Sequence, residues 1–133
     1  MIDITVEPLS PETVVDEVRT RASGCVVTYV GLIRDLSEGK AVASVEYRDP
    51  AGTARQALQG IADEVRQRWQ IENLAICHRV GRLEVGEINL VVAVASAHRR
   101  EGFAACQYII DRFKQRLPTR KTETYQDGSI KET

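Results

Sequence analysis

Cysteine and histidine are scarce in this chain of 133 residues, which has three of the first and two of the second. Cys25, Cys77 and Cys106 are odd in number, far apart and set in apolar stretches, and the chain has no C-x-x-C motif. These spacings exclude a disulfide scaffold and give no basis for a zinc site. Because none of the three has an adjacent base, we expect all of them to be packing residues. The sequence therefore predicts no metal site.

The chain also has almost no excess of charge of either sign, and it has few aromatic side chains. Eighteen Lys and Arg face nineteen Asp and Glu, giving a formal charge of −1, and the aromatic residues are four Tyr, two Phe and one Trp. This balance argues against a nucleic-acid-binding or membrane-coating protein. No apolar run reaches membrane-spanning length, and MIDITVEPLS lacks the features of a signal peptide. We therefore expect a cytoplasmic protein with no nucleic-acid or membrane partner.

The hydrophobic pattern predicts one domain over residues 1–133. It indicates strands at 2–7, 25–33, 41–47, 73–80, 88–96 and 119–126, and helices from Pro11, at 50–69 and at 99–117. Ser10 before Pro11 is typical of a helix N-cap, and Pro118 ends the third helix. The order β-α-β-β-α-β-β-α-β predicts an α+β fold with three helices packed on a mixed, largely antiparallel sheet.

Two of the helices carry an apolar stripe that predicts the face they bury. In the helix at 50–69 the stripe is Ala54, Leu58, Ile61, Ala62, Val65 and Trp69; in the helix at 99–117 it is Phe103, Cys106, Ile110, Phe113 and Leu117. The segment GRLEVGE, 81–87, is interpreted as a connection between two strands, with its glycines in tight turns.

Positive charge is concentrated in residues 98–121, which hold seven Lys and Arg but only two acids, a local charge of +5. Within this region His98 and Arg99 lie where an apolar strand ends and a helix begins. The free N–H groups of such a helix start bind anions, and these two side chains add donors beside them. Arg34 follows another buried strand and could clamp a phosphate. A solvated helix face is the alternative for the basic run, and His78 is interpreted as a structural histidine.

Lys114 is predicted in the last turn of the third helix and Lys121 just past Pro118, so the chain can bring their ammonium groups together. At about 6 Å and an effective dielectric of about 20 they would repel by about 3 kcal/mol, which favours a neutral amine on one of them. Such a lysine could act as an acid, a base or a nucleophile. Two lysines that merely complement the helix dipole are the alternative.

Four segments in this order resemble the large, catalytic subunit of molybdopterin synthase: VVTYVGLIR, HRVGRLEVGE, VAVASAHR and FKQRLPTRKTE. The resemblance covers about residues 24–125. It implies an α/β hammerhead-type fold that forms a homodimer, and a heterotetramer with two small ubiquitin-like sulfur-carrier subunits. It also implies transfer of two sulfurs from the partner's C-terminal Gly-Gly thiocarboxylate to cyclic pyranopterin monophosphate, in molybdenum cofactor biosynthesis. Since the sulfur arrives on the partner, no cofactor is expected.

The resemblance places catalysis on Lys114 and Lys121. It places substrate binding on these two lysines and on Leu32, Ile33, Arg34, His98, Arg99, Thr122 and Glu123, with His98 and Arg99 supplied by the other protomer. Thr119-Arg120 departs from the apolar-aromatic pair expected before the second lysine, and Thr122 stands where another base is expected.

Three other functions stay open at this point. A non-catalytic module that binds a ubiquitin-like Gly-Gly tail or a phosphorylated metabolite would keep the basic pocket without needing two close lysines. A phosphate-ester enzyme with His98 as general acid would need carboxylates that hold a metal. An RNA-binding protein would need more exposed aromatics.

Overall fold

The computed structural model describes all residues, Met1–Thr133, as nine strands and three helices. The helices are α1 (Pro11–Val18), α2 (Ala54–Arg68) and α3 (Arg99–Gln115). The strands are β1 (Ile2–Thr5), β2 (Cys25–Leu32), β3 (Leu36–Ser37), β4 (Lys40–Arg48), β5 (Leu74–Arg79), β6 (Gly81–Glu84), β7 (Ile88–Ser96), β8 (Arg120–Tyr125) and β9 (Ile130–Glu132). Every pairing is antiparallel except that of β1 with β5. The predicted α+β class with three helices and a mixed, largely antiparallel arrangement is confirmed.

The first sheet has the order β1-β5-β7-β2 and is covered on both faces. Alternation along the strands sends Leu74 and Ile76 toward α2 and α3, and Ala75 and Cys77 toward α1. Strands buried on both faces are continuously apolar, which explains why β5 and β7 show no polar alternation in the sequence.

The second sheet has the order β3-β4-β8-β9, with β6 also paired to β4. Its own smaller core contains Val45, Leu83 and Tyr125, and Leu117 packs against both this core and the first one. Leu117 therefore lies at the junction of the two sheets.

The helix stripes are partly confirmed. The buried residues of α2 are those predicted, but α2 begins at Ala54 because Asp49 and Gly52 form a turn in which the Asp49 carboxylate accepts the Thr53 and Ala54 N–H groups at 3.2 and 3.3 Å. Ser10 caps α1 as predicted, with its hydroxyl 3.3 Å from the Thr13 nitrogen.

The predicted face of α3 is wrong at one position. Ile110 is partly buried against the first core as predicted, with the fully buried Ile109 beside it. Phe103, however, is 62% exposed. The reason lies at Gly102, where a β-carbon would stand 2.7 Å from the Ser96 hydroxyl. Only a residue without a side chain fits so close to Ser96. The small residues at the start of α3 therefore pack on the sheet, and Phe103 points away from it.

Three strands were missed, and the shortest of them is the two-residue β3, which pairs with β4. The segment predicted as a connection contains β6. Of its two glycines, Gly86 lies in a turn as predicted, whereas Gly81 is the first residue of β6; both have positive φ, at +90° and +95°. The strand β9 pairs with β8 and completes the second sheet. None of the three is long enough to show periodicity. None of the helices has the length and apolar character needed to cross a membrane.

Candidate active site between the two sheets

A cavity of about 570 Å³ lies between the two sheets. Its wall comes from the end of β2 and the loop after it, from β4, from the start of β7, from the last turns of α3 and from β8. Six predicted site residues line it: Leu32, Ile33, Arg34, Lys114, Lys121 and Glu123. Separate elements of the chain therefore bring three cations and one carboxylate to a single cavity.

Lys121 is held by an ion pair inside this cavity. Its ammonium lies 3.1 Å from Glu123, whose side chain is only 10% exposed, and the Tyr125 hydroxyl donates to the same carboxylate at 2.9 Å. Burial pushes the pKa of Glu123 up, but hydrogen bonds from Ser37, Tyr125 and Lys121, with the charge of Lys121, outweigh it and hold the pKa below its usual value. The carboxylate is therefore charged at neutral pH and serves Lys121 as a counter-ion.

Lys114 differs from Lys121 in its surroundings. It lies in the last turn of α3, is exposed, and takes part in no ion pair. The sequence-based expectation of two bare, mutually repelling ammonium groups did not include Glu123. Lys121 is thus neutralised and held in place by Glu123, whereas Lys114 is free to bind an anionic ligand.

The remaining predicted residues lie elsewhere in the protomer. Thr122 is between Lys121 and Glu123 on β8, so strand alternation turns its side chain away from the cavity. His98 and Arg99 stand at the start of α3, and a helix rise of about 1.5 Å per residue puts them about 23 Å from Lys114. Their contribution to this cavity would have to come from a second protomer, which stays a prediction.

Part of the basic run is structural. Arg112 and Arg116 contact Glu64 of α2 at 3.5 and 3.2 Å, and Tyr108 donates to the same carboxylate. These two arginines therefore help to hold α3 against α2 and are not candidates for ligand binding. No cluster of three or more His, Cys, Asp or Glu side chains is arranged to hold a metal ion.

His78 is fully buried in a structural position. Its ring nitrogens bond to the Asn89 carbonyl at 2.8 Å and to the Thr119 hydroxyl at 2.9 Å, and Tyr47 and Phe113 pack edge-on against the ring. Burial lowers the pKa of His78, although the bond to Asn89 opposes this. Thr119, a departure from the expected motif, is therefore the partner that anchors the start of β8.

Tyr47 and Asn89 are among the polar residues of the cavity that sequence reasoning missed. The Asn89 amide donates to the Tyr47 hydroxyl at 3.0 Å. The only available signal was the presence of Asn89 in the otherwise apolar run INLVVAVAS.

The fold and the cavity together define a class of protein: it is an α+β protein whose cationic cavity suits an anionic ligand. Residues 4–116 match the family model described as "MoaE protein". The chain is 42% identical over 127 residues to the molybdopterin synthase catalytic subunit of Nostoc sp., covering 95% of this chain and 77% of the relative. It is 36% identical over 126 residues to that of Bacillus subtilis, covering 95% and 80%. The chain therefore belongs to the MoaE protein family, and the resemblance seen in the sequence is confirmed.

Solved structures agree with this assignment. A crystal structure of molybdopterin synthase from Staphylococcus aureus superposes with a TM-score of 0.91 at 30% identity, over 98% of this chain and 95% of that one. A complex of subunits 1 and 2 of molybdopterin-converting factor from Helicobacter pylori has the same fold, with a TM-score of 0.76 at 13% identity over 95% and 86%.

Proposed function

We propose that this chain is the catalytic subunit of a molybdopterin synthase and works in the cytoplasm. In this function it catalyses the transfer of two sulfurs to cyclic pyranopterin monophosphate from the thiocarboxylated Gly-Gly ends of a small ubiquitin-like partner. Each thiocarboxylate supplies one sulfur, so two partner molecules are used for each product. The observation that carries the proposal is the cavity of about 570 Å³ in which Lys114 and Lys121 come together from different elements. Its volume is in the range of small-molecule sites.

The charges of the cavity suit both reactants. A cyclic phosphate and a thiocarboxylate are anions, and the cavity presents Arg34, Lys114 and Lys121 to them. Arg34 can hold phosphate oxygens in its planar fork. Lys114, which has no counter-ion, can hold the thiocarboxylate or donate a proton to the leaving oxygen, whereas Glu123 fixes Lys121 in position.

The rim of the cavity suits a partner chain. Leu32 and Leu36 line the cavity and are 56% and 54% exposed, so they offer apolar contacts at its mouth. Exposed apolar side chains beside a polar site are typical of interaction surfaces. We propose that the small subunit covers these two leucines as its tail enters the cavity.

The catalytic set is completed by dimerisation in this proposal. His98 and Arg99 of one protomer would reach the cavity of its partner, because within one chain α3 holds them at the far end from Lys114. The resulting assembly is a homodimer that binds two small subunits.

The test is reconstitution from purified parts. The chain is mixed with cyclic pyranopterin monophosphate and a small subunit that ends in either a thiocarboxylate or a carboxylate, and molybdopterin is measured by mass spectrometry. We expect product only with the thiocarboxylate. If the thiocarboxylated partner and the pterin both bind but no product forms, the chain is a non-catalytic binding module and the proposal is wrong.

A further inference from the structure

Tyr47 lies in the cavity wall next to Lys121. The two residues face each other across β4 and β8, and the Tyr47 side chain is almost completely buried. Its ring packs edge-on against His78 with the ring centres 4.8 Å apart. The phenol is therefore fixed by packing in the wall of the cavity.

Asn89 reaches this hydroxyl because of an irregularity in the first sheet. Gly31 pairs with Leu90 and Leu32 pairs with Ile88, so Asn89 has no partner on β2. An extra residue of this kind is a β-bulge, which re-aims side chains. Asn89 and Leu90 consequently both line the cavity, although neighbouring strand residues ordinarily face opposite sides.

Gly31 makes room for this arrangement. A β-carbon at Gly31 would stand 2.9 Å from the Asn89 amide oxygen and 3.1 Å from the Tyr29 ring. The same amide oxygen is buried and accepts no hydrogen bond. The amide is thus held by its N–H bond to Tyr47 and by its close neighbours, rather than by a second polar contact.

The direction of the Asn89–Tyr47 bond decides what Tyr47 can do. The amide nitrogen donates and the phenol oxygen accepts, so the hydroxyl hydrogen of Tyr47 is left for another acceptor. Burial raises the pKa of Tyr47, against the opposing effects of Lys121 and of the Asn89 bond, so the phenol stays protonated at neutral pH. The cavity therefore contains a neutral donor beside a cation.

We propose that the Tyr47 hydroxyl binds the ligand by donating a hydrogen bond to an anionic oxygen or sulfur, and that Asn89 is the positioning residue for this hydroxyl. The inference rests on the proposed function for the identity of the ligand. Two sources of the acceptor share this chemistry: a phosphate oxygen of the pterin, and the thiocarboxylate of the small subunit.

The first experiment compares Tyr47→Phe with the parent chain by calorimetric titration. One arm uses cyclic pyranopterin monophosphate alone and the other uses the thiocarboxylated small subunit. Since hydrogen bonds to charged groups are strong, we expect a loss of affinity of about 10- to 100-fold in one arm, and that arm identifies the source. Affinities within twofold of the parent in both arms would overturn the inference.

The second experiment tests the role of Asn89 through a double-mutant cycle. Asn89→Ala should weaken binding of the same ligand in the parent background and change it by less than twofold in the Tyr47→Phe background. Equal losses in both backgrounds would show that Asn89 acts independently and would overturn its positioning role. Because Asn89→Ala leaves the phenol in place, it also tests the donor if Tyr47→Phe fails to fold.

A matched control removes a phenol hydroxyl elsewhere. Tyr108 donates to Glu64 between α2 and α3, away from the cavity, so Tyr108→Phe should leave both affinities unchanged. Failure of the inference and failure of the proposed function are distinguishable. A parent chain that makes no molybdopterin contradicts the proposed function, whereas an active parent matched by Tyr47→Phe contradicts only the role of Tyr47.

Discussion

Alanine variants of the two cavity lysines can distinguish an effect on catalysis from an effect on stability, because Lys114 and Lys121 lie in different surroundings. Lys114→Ala removes an exposed, unpaired ammonium, and Lys121→Ala removes the counter-ion of Glu123. If both lysines act on the reactants, each variant should lose about 10²-fold or more in the rate of molybdopterin formation. The rate is measured in the reconstituted reaction with saturating partner.

The cost in stability should differ between the two variants. An exposed substitution such as Lys114→Ala should change the unfolding free energy by less than about 0.5 kcal/mol. Lys121→Ala leaves a largely buried carboxylate without its cation, which should cost about 1–2 kcal/mol. Urea unfolding of both variants and the parent measures this difference.

The pH dependence of this difference follows from Glu123. Its pKa in the folded chain is below the ordinary value of 4.5, so the unfolded chain binds the proton more tightly. The stability that this carboxylate contributes is therefore complete above about pH 4.5 and is lost as the pH falls through the folded pKa. The difference in unfolding free energy between the parent and Lys121→Ala should be full at pH 7 and should shrink as the pH falls below about 4.5.

Arginine variants supply the control for charge. Lys→Arg keeps a cation but changes the position and shape of its head group and keeps it protonated. If arginine restores full activity at both positions, the lysines supply only positive charge, and an acid–base role is wrong. Turnover near that of the parent in both alanine variants would refute the assignment of the site.

Three further predictions test packing and assembly. Replacing Cys25, Cys77 and Cys106 together by Ala should leave sulfur transfer measurable, because burial raises the pKa of the Cys77 and Cys106 thiols to about 11; a folded but inactive triple variant would contradict this. Gly31→Ala should destabilise the fold by about 1–3 kcal/mol and weaken pterin binding, whereas Gly60→Ala, with open space around it, should be neutral or stabilising in urea unfolding. Sedimentation equilibrium should show a dimer at micromolar concentration, and a monomer would count against a site shared between protomers.

The sequence was sufficient where one physical signal dominated. The stripe of α2 predicted its buried face because the large apolar residues of this helix, Leu58, Ile61 and Val65, all pack into the first core. The stripe of α3 was less reliable, since Gly102 and Ala105 face the sheet and small residues give little hydrophobic signal. Phe103 dominated the pattern by its size although it faces outward.

The cavity itself was only partly predictable. Lys114 and Lys121 were found through charge and through the family's motifs, because both lie in one short stretch of chain. Lys121 and Glu123 are two residues apart on β8, so strand alternation alone puts them on one face. The contact of Asn89 with Tyr47, in contrast, depends on the docking of two sheets and on a bulge. A single sequence gives no signal for a bulge that replaces strand alternation at one position.

The position of the cavity at the junction of the sheets links its chemistry to folding. Lys114 is carried by a helix of the first core, and Lys121 by a strand of the second sheet. The segment that connects the two lysines contains Leu117, which packs against both cores. It also contains Thr119, whose hydroxyl forms a hydrogen bond with the buried His78. The lysines therefore meet only when the two sheets have docked, and the contacts that dock the sheets also set the geometry of the site.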